Sequence, residues 1–284
     1  MNLKEAHNLV ITNLLVLYEN REASNIADML TEHITGHNRI DRMIHKNTAL
    51  TALQTAEYRE ATDRLIKHEP IQYIVAKAWF YKYPFYVNNH VLIPRPETEE
   101  LVALIINENK TTKPSVIDIG TGSGCIAISL KKNLDTTVTA IDVSRDALLV
   151  AEKNATDLGA EIHFKQMNFL DIAQWNSLGM FDIIVSNPPY IKFDEQDEIR
   201  KNVLLHEPHL ALFVENDDPL IFYRMIAEFG KTHSHKNGSI WMEINEALGN
   251  QTKELMEQYG YQAAIIKDLQ GKDRMIKAIL ITSS

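Results

Sequence analysis

One stretch of this chain restricts its fold more than any other: Val116-Ile117-Asp118-Ile119-Gly120-Thr121-Gly122-Ser123-Gly124, followed by Ile126, Ala127 and Leu130. The apolar run reads as a strand buried on both faces, and the spacing after the glycines reads as a helix. A strand that enters a glycine turn and opens a helix is the repeating joint of parallel sheets. There the glycines let the backbone approach a ligand and aim amide groups at it. A second joint ends in Ala140-Ile141-Asp142-Val143-Ser144, with Asp142 22 residues after Gly120. Such folds place at that point a carboxylate that accepts both hydroxyl hydrogens of a ribose. A nucleoside-bearing ligand is therefore expected. A dinucleotide fingerprint needs glycine where this chain has Cys125, so the pattern leans away from NAD. Asp118, inside the first strand, either reaches the ligand or caps the loop amides.

A third joint carries the chemistry. Phe181-Asp182-Ile183-Ile184-Val185-Ser186 reads as a buried strand that delivers Asn187-Pro188-Pro189-Tyr190 at its carboxyl end, 45 residues after Asp142. Open α/β sheets hold their ligands at that edge. An amide nitrogen is a poor nucleophile because its lone pair is delocalised, so a site that alkylates it must hold the NH₂ on acceptors that draw the lone pair forward. Asn187 offers a side-chain carbonyl. Pro188 offers a peptide carbonyl in a turn stiffened by two prolines. Tyr190 offers a ring to stack on the planar group. This combination suits methyl transfer to an amide or amino nitrogen, with S-adenosylmethionine as donor and S-adenosylhomocysteine as product.

From Glu97 onward helical and strand patterns alternate, as in a parallel sheet covered on both faces. Strands are expected at residues 115–119, 137–142, 161–166, 181–186, 239 to about 243, 262–267 and 275–281, the last two pairing as an antiparallel hairpin. Before this region the period is helical. Ala6, Val10, Leu14 and Leu17 share one face, and Ile26, Ala27, Leu30 and Ile34 share the next. A last helix from about Leu53 to His68 stops before Glu69-Pro70. Phe80 to Val91, with Tyr81, Tyr83, Phe85 and Val87 alternating, reads as a hairpin turning at Asn88-Asn89. The domains follow: a helical bundle over 1–75, a β-hairpin linker over 76–96 and an α/β domain over 97–284.

Charge and cysteine usage narrow the partners. The 29 basic and 38 acidic residues leave a net charge of −9, which repels a phosphate backbone, so direct contact with nucleic acid is not expected. The lone Cys125 can make neither an internal disulfide nor a cysteine metal cage, which fits a reducing cytoplasmic compartment. No leader pattern or run of about 20 apolar residues is present, so no membrane association is expected. The eleven histidines show no ligand spacing, and His233-Ser234-His235 reads as a solvated loop; no metal is expected. Ser123 lacks the flanking glycines of a nucleophile elbow, and Cys125 reads as a small apolar group under the turn.

Taken with Glu69-Pro70-Ile71-Gln72-Tyr73-Ile74, Ile93-Pro94-Arg95-Pro96-Glu97-Thr98-Glu99, Glu207-Pro208, Glu243 and Asp268-Leu269-Gln270-Gly271 with Arg274, these motifs resemble the HemK/PrmC family of protein-glutamine N5-methyltransferases. The resemblance spans nearly the whole chain. It implies a Rossmann-like class I S-adenosylmethionine-dependent methyltransferase domain with a seven-stranded, mostly parallel sheet, preceded by a small all-α bundle and a hairpin linker. It implies as substrate the glutamine of the Gly-Gly-Gln motif in class I peptide chain release factors, gripped by the helical domain of a monomeric enzyme. By the same resemblance Gly120, Thr121, Gly122, Ser123, Gly124 and Asp142 bind the cofactor, with Asn187 beside it, and Phe169 covers the adenine where tryptophan is common. Asn187, Pro188, Pro189 and Tyr190 hold the glutamine amide. Arg95 and Glu97 either frame the entrance to the site or form an internal ion pair. The chain departs from the family at Asp217-Asp218-Pro219-Leu220, where Asp-Gly is usual, and at Asn245, where glycine is often found. Asn-Pro-Pro-Tyr also serves nucleic-acid amino-methyltransferases acting on adenine N6 or guanine N2, which is the alternative function. A non-catalytic or NAD-binding Rossmann protein is the reading from another class.

Overall fold

The computed structural model describes residues 1–281. It opens with helices α1 (Leu3–Leu14), α2 (Asn20–Thr35), α3 (Arg39–Ile44), α4 (Ala52–Ile66) and α5 (Ile71–Ile74). There follow β1 (Ala78–Phe80), β2 (Tyr83–Phe85), α6 (Pro96–Asn109), β3 (Ser115–Ile119), α7 (Cys125–Asn133), β4 (Thr137–Asp142), α8 (Arg145–Leu158), β5 (His163–Gln166), β6 (Phe181–Ser186) and β7 (Ile191–Lys192). The chain ends with α9 (Lys201–His206), β8 (Phe213–Val214), α10 (Ile221–His233), β9 (Ser234–Glu243), α11 (Gly249–Gln258), β10 (Tyr261–Lys267) and β11 (Asp273–Leu280). These elements form two compact units, Met1–Lys77 with Arg200–His206, and Ala78–Ile199 with the chain from Glu207 onward.

The helical unit has a core of Ala6, Val10 and Leu14 from α1, Ala23, Ile26, Ala27 and Leu30 from α2, and Tyr58, Ala61 and Leu65 from α4. Leu17 lies past the end of α1 and is only half-buried, because the helix closes at Leu15. Thr51 starts α4 through a capping box with Gln54, satisfying two amides that a helix start leaves bare. The helix stops at Ile66, ahead of Pro70, and Glu69 then folds back to pair with Arg64 through two hydrogen bonds of 2.8 and 2.5 Å. Residues 200–206, expected from sequence with the α/β domain, belong to the helical unit: His206 Nε2 meets the Lys67 carbonyl at 3.0 Å and Arg200 faces Glu22 at 3.9 Å.

The second unit is built on a seven-stranded sheet in the order β10-β11-β9-β6-β3-β4-β5. β3, β4, β5, β6 and β9 run parallel, and β11 runs antiparallel to both β9 and β10. Strand alternation divides the core. Ile117, Ile119 and Ile184 join the cluster with Ile240, Met242 and Phe229, while Val116, Ile183 and Val185 join Ile126, Val138 and Trp241 on the other face. The chain leaves β3 first toward β4 and β5, then returns on its other side as β6. That reversal opens a crevice at the carboxyl ends of β3 and β6, where open α/β sheets bind ligands.

Three local expectations are corrected. The hairpin β1–β2 turns at Tyr81-Lys82, both left-handed with φ of 46° and 75°, rather than at Asn88-Asn89, where Asn88 instead accepts from the His90 amide. The strand expected from residue 161 begins at His163. His233 is no solvated loop residue: it ends α10, stacks on Phe229 at 4.2 Å and meets the Trp175 carbonyl at 3.2 Å.

Candidate active site

The loop after β3 is shaped by three left-handed glycines, Gly120, Gly122 and Gly124. At Gly124 a Cβ would lie 3.0 Å from Ile128 Cδ1 and 3.2 Å from Ala151 Cβ, so packing of α7 against α8 demands glycine there. At Gly120 nothing lies within 4 Å of that point, and the residue borders a cavity of about 400 Å³. The Gly120 and Thr121 amides both donate to the Ile141 carbonyl, at 2.9 and 3.0 Å, tying the loop to β4.

Asp142, the last residue of β4, lines the same cavity. Its Oδ2 accepts from the Gly122 amide and its Oδ1 from the Ser144 amide, both at 2.9 Å. Each oxygen keeps lone pairs for a further donor. Burial raises its pKa, against the pull of these amides. Asp118, wholly buried in β3, accepts on Oδ2 from the Thr121 hydroxyl at 2.7 Å and the Ala127 amide at 3.2 Å. It therefore caps the loop and helix, while its Oδ1 has no hydrogen-bond partner. Burial pushes its carboxyl up to about 7. Cys125 opens α7 on the cavity wall, its thiol pushed up to about 12 by burial.

Asn187, Pro188 and Pro189, directly after β6, line the same cavity. The preceding Ser186 donates its hydroxyl to the Ile119 carbonyl at 2.7 Å, pinning β6 to β3 immediately before the motif. Asn187 Nδ2 donates to Thr98 Oγ1 at 3.2 Å, and the Thr98 hydroxyl donates to Glu243 Oε2 at 2.6 Å. Tyr190 donates its hydroxyl to Glu243 Oε1 at 3.2 Å. Pro96 and the acidic Glu97 and Glu99 start α6 at the residues helices favour there, and so place Thr98 in its first turn. Glu243 ends β9 and is buried. Burial raises its pKa, opposed by the Thr98 hydroxyl, the charge of Arg274 and the Tyr190 hydroxyl. Tyr190 does not line the cavity: its ring packs against the sheet core and its phenol is pushed up by burial and by Glu243. Its hydroxyl supports Glu243.

Phe169 lines the cavity, its ring stacked on Trp175 at 5.3 Å, and Trp175 Nε1 donates to the Phe169 carbonyl at 2.9 Å. Arg95 lines the cavity and pairs with the buried Glu207 at 2.7 Å, whereas Glu97 does not line the cavity. Glu207 also accepts from the Ile93 amide at 3.2 Å, which holds the segments before α6 and after α9 together. Both departures from the family pattern have partners. Asn245 donates to the Tyr190 carbonyl at 3.3 Å and caps Ala247, and Asp218 pairs with Arg224. The role of Thr98 went unassigned from sequence, although it sits inside the quoted Pro-Arg-Pro-Glu-Thr-Glu stretch. Among the described residues no group of three or more His, Cys, Asp or Glu could hold a metal ion, and no helix is long and apolar enough to cross a membrane.

Residues 98–212 match the methyltransferase small domain, and residues 12–75 match the PrmC N-terminal domain. A release factor glutamine methyltransferase of Flavobacterium psychrophilum is 43% identical over 283 residues, covering 98% of this chain and 99% of that one. The chain belongs to the release factor glutamine methyltransferase family. A second member, from Bacteroides thetaiotaomicron, is 43% identical over 266 residues, covering 92% and 94% of the two chains. The crystal structure of a methyltransferase from Pyrococcus furiosus matches the fold with a TM-score of 0.52 at 16% identity, over 78% of this chain and 98% of that one. As a member of this family the chain is a methyltransferase. The glycine loop and the Asn187-Pro188-Pro189 turn both line the cavity of this enzyme.

Proposed function

We propose that this enzyme transfers a methyl group from S-adenosylmethionine to the side-chain amide nitrogen, N5, of the glutamine in the Gly-Gly-Gln motif of class I peptide chain release factors. The observation that carries the reading is the Asn187 carboxamide on the cavity wall, with its NH₂ committed to Thr98 and its Oδ1 left as an acceptor. Other residues around the cavity fit the cofactor. Asp142 keeps lone pairs on both oxygens for ribose hydroxyls, Gly120 leaves room for a close approach, and Phe169 offers an apolar wall to an adenine. When bound, the cofactor supplies an electrophilic methyl on a sulfonium sulfur and leaves as S-adenosylhomocysteine.

The protein's own part is positioning and electrostatics. Asn187 Oδ1 and the Pro188 carbonyl accept the two hydrogens of the glutamine NH₂, orienting the nitrogen and raising electron density on it. Once the new C–N bond forms, the nitrogen carries a surplus proton. An N-protonated amide is a strong acid and releases that proton to water, so the site needs no base. The Arg95–Glu207 pair holds the segments before α6 and after α9 in place around the incoming loop. The helical region of residues 1–75 grips the release factor, and the enzyme works as a monomer in the cytoplasm without touching nucleic acid, in keeping with its net charge of −9. The test is transfer of labelled methyl to a purified, unmethylated class I release factor. Label is expected on the native factor and not on one whose motif glutamine is replaced by glutamate.

A further inference from the structure

We infer that Thr98 and Glu243 are positioning residues that decide which end of the Asn187 carboxamide meets the substrate amide. The inference rests on the glutamine-methylating reading. A carboxamide has nearly the same shape after a half-turn, so hydrogen-bond partners alone select its orientation. Turned one way, Asn187 presents an acceptor to the substrate NH₂. Turned the other way, it presents an NH₂ to an NH₂, and two donors face each other with no bond between them.

The polarity of the chain of bonds selects the first. An ionised Glu243 only accepts, and its Oε2 lies 2.6 Å from Thr98 Oγ1, so it takes the single proton Thr98 has to give. Thr98 Oγ1 can then only accept from Asn187, whose Nδ2 lies at 3.2 Å. The Asn187 Nδ2 is held there, and Oδ1 is left for the cavity. At the far end Tyr190 donates to Glu243 Oε1; burial disfavours the charged carboxylate, and the Thr98 hydroxyl, the Arg274 cation and the Tyr190 hydroxyl oppose that. The three residues come from the start of α6, the end of β6 and the end of β9, so the relay is assembled by the fold. Glu243→Gln removes the obligate acceptor. A glutamine can set either its oxygen or its NH₂ on Thr98 Oγ1, so the direction of the Thr98 proton, and with it the orientation of Asn187, is no longer fixed.

The test compares Thr98→Val, Thr98→Ser and Glu243→Gln with the native enzyme in two readouts. The first is kinetic: kcat on the release factor should fall about 10- to 100-fold in Thr98→Val and Glu243→Gln, with Kd for S-adenosylmethionine within about threefold, while Thr98→Ser stays near native. The second needs no turnover. In protein labelled with ¹⁵N-asparagine, the side-chain NH₂ signal of Asn187, assigned by its loss in Asn187→Ala, should exchange slowly with D₂O in the native and Thr98→Ser proteins and quickly in the other two. Fast exchange in the native protein, or equal kcat in Thr98→Val and native, overturns the inference. Thr98→Ser failing as badly as Thr98→Val does so too, since a packing role alone predicts that. Slow native exchange lost in Thr98→Val, with no methyl transferred by the native enzyme, supports the relay and removes the substrate reading instead.

Discussion

Gly122 gives its backbone amide to Asp142 Oδ2 at 2.9 Å, joining the loop after β3 to the end of β4. The bond orients a carboxylate at the cavity before any ligand arrives, so the ordering cost of that side chain falls on folding rather than on binding. Asp142→Ala removes a charged acceptor for two ribose hydroxyls. Kd for S-adenosylmethionine should rise about 100- to 10,000-fold, at roughly 1.5 to 3 kcal/mol for each of the two hydrogen bonds to a charged group, measured by calorimetry. A Kd within twofold of native would remove Asp142 from the cofactor site.

Asn187→Ala should separate binding from turnover. The variant keeps the glycine loop and Asp142, so cofactor affinity should change by only a few-fold, while kcat falls about 100- to 1,000-fold, the usual cost of losing one preorganised polar group. Single-turnover kinetics with saturating cofactor checks this. Native kcat in the variant contradicts amide positioning.

Two glycines in one loop should fail for different reasons. Gly124→Ala sets a Cβ against Ile128 and Ala151 at φ +80°, and should cost about 2 to 4 kcal/mol of stability, from left-handed strain plus overpacking. Gly120→Ala at φ +73° meets open space, so only the left-handed strain of about 1 to 2 kcal/mol applies, but the new methyl projects toward the cavity. Urea denaturation should rank Gly124→Ala as the less stable, and cofactor titration should rank Gly120→Ala as the weaker binder at native-like stability. Reversal of both orders contradicts the roles assigned to the loop.

Asp118 makes stability depend on pH. Its carboxyl titrates at about 7 in the folded chain against 3.8 as the reference, so the folded state holds the proton more tightly. The stability this contributes is full below about pH 4 and is lost as pH rises through about 7. Asp118→Asn has no proton to lose. Its Tm relative to native should climb between pH 5 and pH 8, measured without cofactor by scanning calorimetry. A difference that stays flat across that window contradicts a buried, protonated Asp118.

Much of this was readable before the structure. Strands β3 and β6 are apolar runs because both sheet faces are covered there, and the ends of β3, β4 and β6 carry Gly120, Asp142 and Asn187, so the crevice follows from pattern alone. The turn of the first hairpin was not readable, because Tyr81 and Lys82 adopt left-handed backbone that their side chains disfavour, against a more turn-like Asn88-Asn89. Contacts between distant segments were equally hidden. Thr98 and Glu243 are 145 residues apart, and only the docking of α6 beside β9 brings a hydroxyl to that carboxylate. The grouping of Arg200–His206 with the helical unit depends on Lys67 and Glu22, which no local periodicity connects to it.

The central claim is the reacting atom, and fragmentation mass spectrometry reads it directly. A purified, unmethylated class I release factor is incubated with the enzyme and S-adenosylmethionine, then digested and sequenced by fragmentation. A single added methyl on the glutamine of Gly-Gly-Gln is the predicted result. A methyl on any other residue, or none while cofactor binding is intact, contradicts the account.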